Sequence, residues 1–152
     1  MRKKPESSLR AQAMKILARR EYSRAELRAK LLPCAREGDD IEAVLNELEK
    51  RNWLSDERAA TQIMHSKRSR FGAQRIAHEL RLKGIADNLI GDVLPQLRET
   101  ELAAARVVWE RKFGKLPQDA KERARQVRFL QSRGFAIDVI FQTLRMPSSR
   151  ED

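Results

Sequence analysis

Apolar residues recur along this chain every three or four positions, and no stretch alternates apolar with polar in the two-residue rhythm of a strand. Leu9, Ala13, Ile16 and Leu17 form the first stripe. Ser23 with Glu26 then spells a capping box, in which each side chain bonds a free backbone N–H at a helix start. The helix it opens carries Leu27 and Leu31 inward and stops at Pro33, which cannot donate to a helical ladder. Asp39 and Asp40 suit the positive end of another helix, with Ile41, Val44, Leu45 and Leu48 as its stripe. Ser55 or Asp56 starts a further helix, running to about Arg70, and Gly72 breaks it. A helix over 73–83 buries Ile76, Ala77 and Leu80, and Gly84 ends it in the left-handed conformation. Next comes a helix from Asp87 to about Leu94, interrupted by Pro95, and another from about Thr100 to Phe113. A loop spans 114–117, a long basic helix runs from Asp119 to Arg133, and Gly134 separates it from a last helix holding Ile137 to Leu144.

The pattern repeats. Tyr22-Ser23 precedes Leu27 and Leu31 as Phe71-Gly72 precedes Ile76 and Leu80. Lys83-Gly84-Ile85, with Leu89, Ile90 and Leu94, is echoed by Arg133-Gly134-Phe135, with Val139, Ile140 and Leu144. Glu57 through Lys67 likewise matches Glu101 through Arg111. A period in the mid-forties to about fifty residues is the length of a repeat array. The expected fold is all-α: nine helices in an elongated array of three tandem three-helix units resembling helix-turn-helix modules. The units span 9–54, 55–98 and 99–145, between a basic tail over 1–8 and a C-terminal tail over 146–152.

Charge adds a partner class. The 152 residues hold 32 Lys and Arg against 22 Asp and Glu, a net charge of +10. Basic residues outnumber acidic ones 14 to 11 through position 60, 7 to 4 from 61 to 100, and 11 to 7 thereafter. An excess spread along all three units, rather than held in a tail, fits a polyanionic surface: nucleic acid or an acidic protein groove. No window approaches the roughly 18 apolar residues of a membrane span. With a single cysteine, Cys34, no internal disulfide is possible and no metal site can rest on thiolates. A reducing cytoplasm is the expected location.

Catalytic chemistry finds no foothold. His78-Glu79 begins like a zinc-protease helix, but the residue four after His78 is Leu82. His65 and His78 lack neighbours at metal-ligand spacing and read as helix-surface or packing residues. Cys34 reads as a buried or half-buried thiol, Trp53 and Trp109 as core residues on helix stripes, and Phe71 and Phe135 as turn anchors. The six glycines are too scattered for a phosphate-cradling loop. No catalytic residue, cofactor or metal is expected. Binding chemistry is better supplied. Residues 66–83 hold Lys67, Arg68, Arg70, Arg75, Arg81 and Lys83 against one acid, Glu79. Arg75 and Ile76 are adjacent, so the apolar face can be buried while the guanidinium stays available. Lys121, Arg123, Arg125, Arg128 and Arg133 repeat the arrangement beside Val127 and Leu130. Guanidinium forks match phosphate or carboxylate oxygens in pairs.

At these residues the chain resembles the RecX family, regulators of the bacterial recombinase RecA. The matching stretches are Ile16 to Ser23 with Glu26-Leu27 and Lys30-Leu31, then Trp53-Leu54-Ser55-Asp56 with Arg58. Arg70-Phe71-Gly72 follows with Arg75-Ile76, Glu79-Leu80 and Lys83-Gly84-Ile85. The last are Lys112-Phe113-Gly114, Arg128-Phe129-Leu130 and Arg133-Gly134-Phe135. The resemblance covers roughly residues 9–145. It implies a monomeric three-unit helical protein lying in the groove of the RecA–single-stranded-DNA filament, touching duplex DNA weakly if at all. Such a protein hinders filament growth and damps ATP hydrolysis, strand exchange and coprotease activity, and so modulates recombination, DNA repair and the SOS response. The expected contacts are Lys67, Arg68, Arg70, Arg75, Arg81 and Lys83 centrally, extended by Arg125, Arg128 and Arg133. Two rivals make different predictions. A tandem helix-turn-helix transcription regulator reads duplex sequence, normally as a dimer. A pure protein adaptor shows weak salt dependence on naked DNA, whereas about five or six phosphate contacts on a single strand give a log–log slope near −4.

Overall fold

The computed structural model describes residues 8–145, so both expected tails beyond position 8 and position 145 lie outside the described residues. Eight α-helices and one 3-10 turn make up the regular structure of those residues. They are α1 (Leu9–Leu17), α2 (Arg24–Leu31), α3 (Ile41–Lys50), α4 (Asp56–Lys67), α5 (Ala73–Leu82), α6 (Asp87–Lys112), α7 (Ala120–Ser132) and α8 (Ile137–Arg145), with the 3-10 turn at Leu32–Cys34 after α2. The caps follow the sequence closely. Ser8, Ser23, Asp40, Ser55 and Asp119 each accept from a backbone N–H of the first turn, and Ser23 with Glu26 closes a full capping box. Gly84 and Gly134 take positive φ after α5 and α7, as a helix-ending glycine does.

Three separate cores result. Leu9, Ala13, Tyr22, Leu27, Leu31, Leu45, Leu48 and Leu54 form the first. Ile63, Met64, Ile76, Leu80, Ile85, Ile90, Val93 and Leu97 anchor the second. Ala104, Ala105, Leu130, Phe135, Ile140 and Leu144 form the third.

Three expectations are corrected. Pro95 does not end a helix: α6 runs through it for 26 residues, giving eight helices rather than nine. Val93 and Leu97 are buried in the second core and Ala104 and Ala105 in the third, so packing at both ends of α6 holds the segment helical. Pro95 and Gly91, whose carbonyl loses its helical donor, are both exposed, so water can satisfy that oxygen. Trp53 is not a core residue. It follows α3 in a turn, is 39% exposed, and has the guanidinium groups of Arg10 and Arg51, both bonded to Glu47, 5.6 and 5.2 Å from its ring centre. Cys34 is exposed rather than buried, because the 3-10 turn at Pro33 carries it to the surface.

The units meet through a joint that is built twice. In the first joint the N-terminus of α2 docks on the turn after α5. Ser23 Oγ donates to the carbonyl of Lys83 at 2.6 Å, and Asp56, from the next unit, accepts from the N–H of Arg24 at 2.7 Å. In the second, the N-terminus of α5 docks on the turn after α7. Gly72 N donates to the carbonyl of Arg133 at 2.8 Å, and Glu101, again from the next unit, accepts from the N–H of Ala73 at 3.1 Å. Glycine is required on both sides of this contact. A Cβ on Gly72 would stand 2.3 Å from the Gly134 carbonyl oxygen, and one on Gly134 would stand 2.2 Å from the Arg75 Cβ.

Candidate nucleic-acid and filament interface

The two joints differ in charge. Three residues into α2 the first joint carries Glu26, whose carboxylate lies 3.2 Å from Arg20 and 3.4 Å from Lys83. Burial alone would push the Glu26 carboxyl up, but the Ser23 N–H, the Arg20 guanidinium and the Lys83 ammonium outweigh it and hold it below the usual range. The corresponding place in α5 is Arg75. A cation near a helix N-terminus works against the helix dipole. It also adds to the charge of the joint where Glu26 neutralises it.

The consequence is a cluster on one aromatic ring. The side-chain charges of Arg75, Arg133, Lys67 and Arg70 lie 4.3, 5.4, 5.5 and 5.5 Å from the centre of the half-buried Phe71 ring. Arg75 also reaches across the joint, donating from Nη1 to the carbonyl of Ser132 at 3.0 Å. Among the described residues, Glu79, 3.3 Å from Lys67, is the acid paired with these four charges. Arg133 continues the line, since it also lies 5.2 Å over Phe129, with Lys112 at 5.3 Å from the same ring. Phe129 meets Phe113 edge-on at 5.4 Å, and Arg125 covers Phe113. A ribbon of alternating cations and rings thus runs from the end of α4 across the second joint to α7. Beside it a cleft of about 240 Å³ is lined by Lys67, Phe71, Arg75, Ile76, His78, Glu79 and Leu82, the last 74% exposed.

The first unit spends its cations inwardly. Arg24 bonds Glu42 and Glu49 at 2.7 and 2.6 Å, Arg28 bonds Glu42 at 2.7 Å, and Arg10 bonds Glu47 at 2.9 Å. The Arg28 and Arg24 guanidinium groups lower the Glu42 carboxyl to about 2. Arg58 bonds Glu21 at 2.9 Å and so ties α4 back to the first unit. The near-equal charge excess of the units therefore hides an uneven availability of that charge.

Of the nine residues expected from sequence, Lys67, Arg70, Arg75 and Arg133 converge on Phe71, and Arg125 lies farther along the ribbon. Lys83 sits instead in the first joint, paired with Glu26, and Arg81 lies 3.6 Å from Asp87 at the far end of α5. Arg68 caps the C-terminus of α4, and Arg128 is exposed on α7. Sequence reasoning missed Glu101, Phe113 and Phe129 as working parts. Glu101 had a visible signal: an acid on the buried stripe between Leu97 and Ala104. Arg123 stands over Phe141 at 5.3 Å. His65 and His78 are both exposed, and no cluster of metal-ligating side chains occurs among the described residues. No helix among them is long and apolar enough to cross a membrane.

An all-helical array of three units, jointed alike and bearing a cationic ribbon over two of them, defines a helical-repeat protein. Comparison with known proteins makes the class specific. Family models describing the first, second and third three-helix domains of RecX match residues 10–48, 55–94 and 99–144. The Regulatory protein RecX of Leptothrix cholodnii is 48% identical over 149 residues, covering 98% of this chain and 95% of the relative. Those of Ralstonia nicotianae and Chromobacterium violaceum are 46% and 47% identical, covering 91% and 90% of this chain and 87% and 89% of the relatives. The chain belongs to the RecX family, whose members are named as regulatory proteins. Its fold is also that of the RecX crystal structure from Lactobacillus salivarius, with a TM-score of 0.74 at 19% identity over 90% of this chain and 92% of that one.

Proposed function

We propose that this chain is a negative regulator of RecA that lies along the RecA–single-stranded-DNA filament. There it restrains filament growth, ATP hydrolysis, strand exchange and coprotease cleavage, and so tempers recombination, repair and the SOS response. Membership of the RecX family across all three units carries the reading, and the cationic ribbon supports it. A protein of this shape needs no chemistry of its own. It acts by occupying a groove that subunits, homologous duplex or cleavage substrates would otherwise use. The cytoplasm, where RecA filaments form, is the corresponding location.

The test is the single-stranded-DNA-dependent ATPase of pre-formed RecA filaments as the protein is titrated in. Inhibition well below one molecule per RecA subunit is expected and points to action at ends or breaks. Full activity at excess protein, with DNA saturating, would reject the reading. Arg70→Glu with Arg75→Glu should raise the concentration needed for inhibition by roughly tenfold or more, since two reversed charges remove at least two paired contacts. An unchanged titration would remove the Phe71 cluster from the interface.

A further inference from the structure

Most aromatic rings of this chain carry a cation over a face. There are eight: five Phe, two Trp and one Tyr. Phe135 is buried and Trp109 is half-buried, its indole N–H donating to Gln126 at 2.8 Å. Each of the other six carries at least one cation over its ring. Arg20 stands 3.6 Å from the centre of Tyr22, Arg10 and Arg51 stand near Trp53, and Arg123 lies over Phe141. Phe71, Phe113 and Phe129 are covered as described above. Proteins that hold single strands by their bases present open aromatic faces for stacking. Here a guanidinium or ammonium group competes for each of those six rings.

The rings of the ribbon therefore serve the cations. A ring holds a guanidinium by cation–π attraction and leaves N–H groups for other acceptors, as Arg75 shows by donating from Nη1 to the Ser132 carbonyl while its other N–H groups remain. Phe71 gathers Lys67, Arg70 and Arg75 from the second unit and Arg133 from the third, so its cluster is complete only when the second joint is closed. Arg133, shared between Phe71 and Phe129, links this cluster to the next. A row of cations on fixed supports, with Glu79 and Glu122 the acids paired to it, matches a polymer carrying one negative charge at every step.

We infer that the Phe71–Phe129 ribbon is a phosphodiester-backbone site straddling the second joint, and that it holds single-stranded nucleic acid by its phosphates without stacking its bases. The inference rests on the reading of the chain as a filament regulator for its setting. In that setting, a base-blind site leaves the bases of the bound strand facing away from the protein. Phe71 is a positioning residue: it touches the cations and they touch the phosphates.

The experiment compares two labelled 30-nucleotide strands of equal charge, one of deoxythymidine and one of abasic tetrahydrofuran units, bound to the unaltered protein over a range of salt. Affinities within about twofold and equal salt slopes are expected. Stacking contributes roughly 1–3 kcal/mol per base, about fivefold or more in affinity. Tighter binding of the thymidine strand by tenfold or more would therefore overturn the inference. So would binding to neither strand at low salt. Arg75→Gln with Arg133→Gln should weaken both strands alike and lower the salt slope by about 1 to 2; an unchanged slope would place the site elsewhere. The filament ATPase assay separates the two readings. Inhibition without naked-strand binding sinks the phosphate site alone, and base-blind binding without inhibition sinks the regulator alone.

Discussion

Glu101 is the only charged residue buried among the described residues, and it holds two helices at once. Its Oε1 accepts from Ala73, the first residue of α5, at 3.1 Å, and from Ala136, just before α8, at 3.4 Å. The reason lies one residue away. Gly72 must lack a side chain to touch Gly134, so it cannot cap its own helix as Ser23 does. Glu101 supplies the missing acceptor from the neighbouring unit. A helix N-terminus gains from a nearby negative charge, and a lost cap costs about 1 kcal/mol. Glu101→Ala should lower stability in urea by about 2 kcal/mol, because one buried and one half-buried donor lose their acceptor. Glu101→Gln keeps an oxygen in place and should lose less than half as much. An unchanged unfolding midpoint for the alanine variant would mean that water caps both helices equally well.

Among the elements, α6 is the one whose nature the residues disguised. The other helices declared themselves by a stripe, most of them with a capping residue ahead of it. The stripe of α6 passes through Pro95, and proline is the strongest local stop signal a sequence contains. Its cost falls on the exposed face, while the gain comes from two cores that lie far apart in the chain. Local pattern could show neither. Trp53 and Cys34 were misplaced for a related reason: each sits just past a helix end, where periodicity no longer tells inside from outside. The joints were half legible. The repeated aromatic-then-polar and Gly-containing motifs were plain, but their contact with one another joins residues some sixty positions apart, as Ser23 and Lys83 show. The expected contact residues formed an undivided list in the sequence. Only the geometry separates Arg75 and Arg133, gathered on Phe71, from Lys83, held by Glu26. Pro95→Ala should raise stability by about 1–2 kcal/mol and the melting temperature by a few degrees, since alanine restores the helical donor. A lower melting temperature would show that the proline fixes a bend the cores require.

At the scale of the whole molecule, charge divides the array into a self-satisfied first unit and an outward-facing remainder. The division has a pH signature. Glu42 is held near 2 by Arg28 and Arg24, below its ordinary 4.5, and Glu26 is held down as well. A carboxyl depressed in the folded state contributes stability that is complete above its unfolded pKa and is lost as pH falls through the folded one. The first unit should therefore loosen between about pH 4.5 and 2, ahead of the third. Fluorescence separates them, because Trp53 reports the first unit and Trp109 the third. In a Trp109→Phe variant the acid transition should shift upward when Glu42→Gln is added at mildly acidic pH. Identical transitions with and without that change would show that the Glu42 pairs are too exposed to matter.

The joint also has a direction. It needs a helix N-terminus on one side and a positive-φ glycine turn on the other, and the chain makes this match at Gly84 and again at Gly134. The free N-terminus of α7 could in principle seek a third such turn on another copy. The turn that would have to receive it, after α2, holds Pro33 where Gly84 and Gly134 stand two residues past their helices, and the positive-φ Gly38 comes only beyond the 3-10 turn. The series is closed at its first member. On the proposed filament, copies bound side by side then cannot repeat this joint with one another, so occupancy should rise hyperbolically with concentration, with a Hill coefficient of about 1.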